Sequence, residues 1–341
     1  MRTPLSVGVV GADEQALAYA NALVELPQAS LRWLCDERDE LPQHMAVRFA
    51  TAQLTDEPDD LLLDEDLDAL VIASPACTDL VCAALAADKH VLATPPLADS
   101  VGEAEALLRL AEARGRALVV AEPLVADPAS AQLKALIEAG ELGELYALYV
   151  NAQGLGRAAG RQWPFGVEEF SLVLHLVGDD PIEVVAHGES YFEPGVVDVA
   201  FCILRFATGI SAHLHFSWLD PLRIRRLTAI GSKRMAVVDD LAPAWKLAVH
   251  EHGGSRVGGR GDLIAPWIDA EDRIKLECER LVAATQRRAS AQAARRAVAV
   301  VDVVESVLDS LTKERRPAPL ATIRAPEARV VPLHVVDRRG A

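Results

Sequence analysis

The stretch with the plainest chemical meaning runs from Val7 to Ala16, V-G-V-V-G-A-D-E-Q-A. A short apolar run that ends at a glycine and passes straight into helix formers predicts a strand, a tight turn and a helix N-terminus, where a dinucleotide pyrophosphate sits. The fingerprint of such a turn is G-x-G-x-x-G/A, and here it reads Gly11-Ala12-Asp13-Glu14-Gln15-Ala16. The first glycine is kept and Ala16 is tolerated at the third position. The middle glycine, which lets backbone approach the phosphates, is Asp13, and a second carboxylate, Glu14, follows it. The helix end still favours an anion by roughly 0.3–1 kcal/mol per charge, and a nearby carboxylate opposes it at comparable size, so weakened cofactor affinity is expected. Asp36, at the end of the next apolar run, falls near the spacing at which a carboxylate hydrogen-bonds a cofactor ribose; a plain strand-end turn is the other reading. His213 and His215, two apart on a predicted strand, share a face and form a possible metal pair. No third ligand lies in sequence reach, and sheet packing or an oligomer contact explains them more simply, so no metal site is assigned. Cys77, near a predicted helix start, lacks a partner histidine and reads as core.

The elements that must hold these residues alternate through the first third of the chain. Strands are predicted at Ser30–Asp36, Ala69–Ala73, His90–Ala93 and Ala117–Ala121, with helices at Asp13–Leu26, 42–48, 57–63, Asp79–Ala87 and from Ser100, whose spacing to Glu103 is that of a capping box. Continuous apolar strands separated by helices imply a doubly wound parallel sheet over residues 1–122. Asp127-Pro128 opens a further helix that stops at Gly140. From Leu145 short strands follow one another through Asp239, the rhythm of a mostly antiparallel open sheet in an α/β domain over 123–316. Two helices close it, and 317–341 is a tail. The Gly253–Gly261 stretch lacks the lysine of a phosphate loop and reads as a surface loop, its Arg260-Gly261-Asp262 triplet as chance.

At 341 residues with 51% hydrophobic and 25% charged content, the chain suits two globular domains. A formal net charge of −16 argues against nucleic-acid and anionic-membrane partners, both of which attract basic patches. No apolar run approaches spanning length, and the start leads directly into a strand without a signal-peptide pattern. The five cysteines are scattered without a C-x-x-C pair and read as reduced thiols, consistent with a cytoplasmic protein.

Several segments together carry a family resemblance. They are the glycine turn, Val71-Ile72-Ala73-Ser74-Pro75, Asp88-Lys89-His90-Val91-Leu92, Ala111-Glu112-Ala113-Arg114-Gly115-Arg116, Gly140-Glu141-Leu142-Gly143-Glu144, and Val197-Asp198-Val199-Ala200-Phe201. His215-Phe216-Ser217-Trp218-Leu219-Asp220-Pro221 and Arg225-Arg226-Leu227-Thr228 with Gly231-Ser232-Lys233 continue them. To about Arg316 the chain resembles the Gfo/Idh/MocA family of NAD(P)-dependent oxidoreductases, in particular its sugar-nucleotide 3-dehydrogenase-like branch. The resemblance implies a Rossmann domain followed by an α/β domain whose open sheet forms a homo-oligomer, dimer or tetramer. It also implies NAD or NADP as cofactor, contacted at Gly11, Asp13, Glu14, Gln15, Asp36, Ser74, Pro75 and Thr94, and a sugar-like small molecule as ligand.

The catalytic positions of that family are changed here. Its E-K-P after the fifth strand aligns with Thr94-Pro95-Pro96, and proline brings neither charge nor donor. Its catalytic histidine, in a segment of D/G-x-x-P-H-D type, aligns with Glu168, and the following aspartate with Glu169. A further histidine segment becomes Ala121-Glu122-Pro123-Leu124. Proton removal from a secondary alcohol needs a group titrating near neutrality, a contribution of roughly 10²–10⁴-fold. Glu168 meets that need only where burial or the like charge of Glu169 raises its pKa; otherwise the pair faces a cation or water. Three readings stay open: an oxidoreductase with a rearranged acid/base set, impaired as an ordinary dehydrogenase; an inactive oligomeric binding or regulatory subunit; and a non-redox lyase or isomerase using Glu122, Glu168 and Glu169.

Overall fold

The computed structural model describes residues 3–11, 13–36, 48–74, 77–154, 166–252, 260–269, 271–286 and 291–312. Its first sheet joins β1 (Leu5–Val10), β2 (Ala29–Cys35), β3 (Gln53–Thr55), β4 (Ala69–Ile72), β5 (His90–Ala93) and β6 (Leu118–Val120), all parallel, in the order β3-β2-β1-β4-β5-β6. Helices α1 (Glu14–Glu25), α2 (Pro58–Leu63), α3 (Thr78–Ala86) and α4 (Val101–Arg114) make the crossovers. Every residue of β4 is buried, which is why its run is uninterruptedly apolar. The strand order reverses between β1 and β4, so the ligand crevice of such a sheet opens outside their C-terminal ends. The expected caps form: the Ser100 hydroxyl accepts from the Glu103 amide, and the Asp127 carboxylate from those of Ala129 and Ser130. The expected helix over 42–48 lies outside the described residues except at Arg48.

The second sheet contains β7 (Leu145–Gln153), β8 (Pro181–Glu189), β9 (Val199–Phe206), β10 (Ser211–Ser217), β11 (Ile224–Gly231), β12 (Arg234–Asp239), β13 (Leu247–His252) and β14 (Arg260–Ile264). Its order is β14-β13-β12-β11-β7-β10-β9-β8, and only the β7–β10 pair is parallel. β13 and β14 correct the loop expected over Gly253–Gly261: Arg260 and Gly261 lie in an edge strand, and 253–259 lie outside the described residues. Ladder pairing with β13 through Arg260, Leu263 and Ile264 makes this short segment a strand, a tertiary effect invisible to local composition.

Helices α5 (Pro123–Ala126), α6 (Pro128–Glu138) and α7 (Val167–Val177) follow the first sheet or cover the second, and α8 (Arg273–Gln286) and α9 (Ala291–Thr312) close the chain. The inner sheet face presents Leu148, Val150, Leu204, Leu214, Phe216 and Leu227 to α7, whose own Phe170, Val173 and Leu176 are fully buried. Gly166, in the left-handed region at φ +87°, starts α7 directly beneath the Phe216 ring, where a Cβ would lie 2.3 Å from ring carbon. That contact fixes where α7 begins, and with it Glu168. The last two helices are shared: Cys278 and Leu281 of α8 pack in the α1 core, while α9 gives Val301 to the first sheet and Val304 and Val307 to the second.

Candidate functional site

The glycine turn has the backbone the sequence requires. Gly11 sits at φ +124°, and a Cβ there would lie 3.2 Å from both the Ala16 methyl and the Ala73 carbonyl oxygen, so only glycine lets α1 approach β4. Asp13 is the N-cap of α1, its Oδ1 accepting from the Ala16 amide at 2.9 Å. A carboxylate therefore already occupies the positive end of the helix. Glu14 is exposed and Gln15 half-buried on the same first turn. Asp36 lies buried just past β2, its amide donating to the Thr55 carbonyl. Ser74 follows β4, and Pro75 lies outside the described residues. Thr94, buried after β5, is bound through its amide to the Ile72 carbonyl at 3.1 Å. These residues share one edge of the sheet.

Glu122, just past β6, is a correction to its place among the acid/base candidates. Its Oε1 accepts from the Ser171 hydroxyl at 2.5 Å and from Arg296 Nε at 2.5 Å, and its Oε2 from Arg296 at 2.6 Å and Arg280 at 3.2 Å. All four lone-pair positions are taken. Burial pushes its pKa up, but the Arg296 hydrogen bond and charge outweigh it and hold the carboxyl below the usual range. The Glu122 amide donates to Glu277, itself paired with Arg280, and Arg296 reaches His175. One ionised carboxylate thus ties the end of β6 to α7, α8 and α9.

Glu168 and Glu169 open α7. Arg225, on β11, donates from Nε to Glu169 at 2.9 Å and from its terminal nitrogen to Glu168 at 2.8 Å. Glu169 is 4% exposed and Glu168 26% exposed at the side chain, so the first is an anchor and the second faces space. Ser171, one turn after Glu168 on the same helix face, donates to Glu122 at the edge of the first sheet. Glu168 thus lies on the α7 face that meets the first domain, where its charge helps raise the pKa of Tyr19 in α1. Burial pushes the Glu168 pKa up, Arg225 pulls it back, and the charge of Glu169 pushes it up again; the net direction is upward. The pair thus faces a cation, Arg225, while the net direction of the Glu168 pKa stays upward.

Arg225 was legible only as part of a motif, although its alternation with Leu227 and Ala229 places it on the buried sheet face, where an arginine must find carboxylates. Asp240, Arg273 and Asp127 extend this network, Arg273 bridging the two aspartates. His213 and His215 face outward, His213 edge-on to Tyr149 and His215 stacked on Phe201. Among the described residues no cluster of three metal-ligating side chains exists, and no helix is long and apolar enough to cross a membrane.

Residues 5–122 match the GFO/IDH/MocA oxidoreductase family with NAD-binding Rossmann fold, and residues 130–237 match the GFO/IDH/MocA C-terminal domain. This chain belongs to the Gfo/Idh/MocA oxidoreductases. It is 24% identical to the uncharacterised oxidoreductase YrbE of Bacillus subtilis over 71% of this chain and 76% of the relative. It is 23% identical to the myo-inositol 2-dehydrogenase of Thermotoga maritima over 74% and 81%. The fold is that of a 3-ketoreductase from Actinomadura kijaniata solved with NADP and TDP-benzene, at a TM-score of 0.80 and 21% identity over 91% of this chain and 98% of that one. Against the Gfo/Idh/MocA pattern the turn fits a dinucleotide: Gly11 and Ala16 keep the close approach. Asp13 and Glu14 add opposing charges.

Proposed function

We propose that this protein is an NAD(P)-dependent oxidoreductase acting on a sugar, cyclic polyol or sugar nucleotide, in which Glu168 takes the proton of a secondary alcohol. What supports this reading is Glu168 itself, 26% exposed at the side chain and held in place by Arg225, with burial and the charge of Glu169 pushing its pKa upward. Relatives named as an inositol dehydrogenase and a sugar 3-ketoreductase support the substrate class. Gly11, Asp36, Ser74 and Thr94 line the edge that would hold the dinucleotide, whose nicotinamide supplies the hydride acceptor when bound. Asp36 favours NAD, since a carboxylate there accepts from a ribose 2′-hydroxyl and repels a 2′-phosphate. Arg225 holds Glu168 and Glu169 in one geometry, so Glu168 can release and regain a proton without moving. Pro95 gives the substrate hydroxyl no lysine donor, and orientation falls to the remaining contacts.

A second reading, a binding or regulatory subunit without redox turnover, is favoured by Asp13 and Pro95. The non-redox reading loses one of its three acids, because Glu122 is committed to two arginines. Each of these readings is compatible with assembly into a dimer or tetramer through the outward face of the second sheet. The deciding experiment titrates the protein with NADH and NADPH, followed by energy transfer from tryptophan and by calorimetry, then screens inositols and sugar nucleotides. Micromolar binding with turnover that falls roughly 10²–10⁴-fold in Glu168→Gln, at unchanged cofactor affinity, supports the oxidoreductase. Absence of binding of either cofactor at millimolar concentration overturns it in favour of the subunit.

A further inference from the structure

At the opposite end of the first sheet from the glycine turn, the starts of β5 and β6, the last turn of α4, the end of α8 and the start of α9 enclose a cavity of about 550 Å³. That is the size of a metabolite pocket. Leu118 and Ala284 are among its apolar walls, and Arg109, Arg116 and His90 bring donors to its lining. Arg116 Nε is buried and hydrogen-bonds no described group, although the side chain as a whole is 35% exposed and forms a long ion pair with Asp88 at 3.8 Å, beyond hydrogen-bond length. A buried N–H left without an acceptor calls for one. His90 uses Nδ1 to accept the Ala117 amide at 2.9 Å, so the neutral ring carries its proton on Nε2 and offers a second donor. Arg109 adds a guanidinium that is paired with Glu105, and Glu112 is a carboxylate among the described lining residues. The last carbonyls of α4 are already taken by the Gly115 and Arg116 amides.

We propose that this cavity is a second ligand site, for a small metabolite bearing a carboxylate or phosphate, with Arg116 and His90 as its principal anion contacts. An occupant would bridge the first sheet to α8 and α9. Those helices carry Glu277, Arg280 and Arg296, the groups around Glu122, so the site is built to report on how the two domains are joined. It does not depend on the redox reading, because none of its residues lies at the cofactor edge.

The test is calorimetric titration of the full chain with citrate and, separately, inorganic phosphate at matched ionic strength. Wild type is compared with Arg116→Gln, His90→Phe and, as a control at the other site, Glu168→Gln. Saturable binding in the millimolar range or tighter, weakened about 10-fold by Arg116→Gln and left unchanged by Glu168→Gln, is the expected result. Preference for citrate or for phosphate identifies the ligand's anionic group. No saturation by about 20 mM of either anion overturns the proposal. So does equal affinity in wild type, Arg116→Gln and His90→Phe, with folding of each variant verified by its thermal transition. Because cofactor titration reads the other end of the sheet, failure here leaves the redox reading intact, and the reverse.

Discussion

Asp13 and Glu122 show how one carboxylate can be an obstacle in one place and a fastening in another. Asp13 caps α1 through the Ala16 amide and so competes with any phosphate for the same dipole. Asp13→Gly keeps the turn and removes the charge, and glycine is a tolerable N-cap. NADH affinity is therefore expected to rise about 5-fold, with a stability loss of only a few tenths of a kcal/mol, both readable from one pair of titration and denaturation curves. Glu122 is the opposite case. Glu122→Gln leaves Arg296 buried against a neutral amide, and loss of one partner from a buried pair costs about 3–5 kcal/mol; urea unfolding measures it. His175 beside Arg296 gives the same cluster a pH signature. Burial and the Arg296 charge hold its pKa down to about 4 from the 6.5 of the free side chain. The unfolded chain then binds the extra proton first, so stability is complete above pH 6.5 and falls as pH drops toward 4. The loss is on the order of 2 kcal/mol after allowance for its partial exposure, and His175→Gln should flatten this part of the stability profile.

At the level of elements, the sequence announced what is local and concealed what is tertiary. The parallel strands, the caps at Ser100 and Asp127 and the strand rhythm after Leu145 were readable because apolar period and cap chemistry are properties of neighbouring residues. The edge strand β14 was not, because five residues after a glycine-rich stretch become a strand by pairing with β13. In the site, Glu168 and Glu169 were found by their place in a motif, while Arg225 and Arg296, which decide what the acids can do, come from elements 57 and 174 positions away from their partners. Charge pairing at that separation leaves no local pattern. The shared helices also escaped a reading that assigned them to the second domain alone: α8 packs Leu281, fully buried, into the α1 core. Leu281→Ala is thus expected to destabilise the first domain by about 2–5 kcal/mol. Hydrogen exchange should show lost protection in α1 and β1 as well as in α8. Loss confined to α8 and the second sheet would refute the shared packing.

For the whole molecule, one face of the second sheet is covered by α6, α7 and α9, and among the described residues no element packs on the other. On the bare face Tyr149 and Phe201 are 42% and 51% exposed, and their rings are already held by His213 at 5.4 Å and His215 at 4.3 Å between centroids. Ordered aromatic side chains lose little further freedom on docking, which is the property of a surface suited to a partner. A second copy of the same face around a two-fold axis meets it with identical groups, so each ring counts twice. The chain also carries a net charge of −16, so two copies repel at long range. Added salt should then strengthen association rather than weaken it, since screening removes repulsion while leaving apolar contact untouched. Light scattering across a salt series is the measurement, with the expected dimer or tetramer growing more persistent from about 10 mM to 150 mM salt. Tyr149→Arg with Phe201→Arg removes four rings from a two-fold interface at about 1 kcal/mol each, roughly a 10³-fold loss of affinity. Neither side chain is part of the core, so the monomer's own unfolding curve should stay in place; a wild-type monomer at every salt, or a double variant that assembles as before, would place the interface elsewhere or remove it.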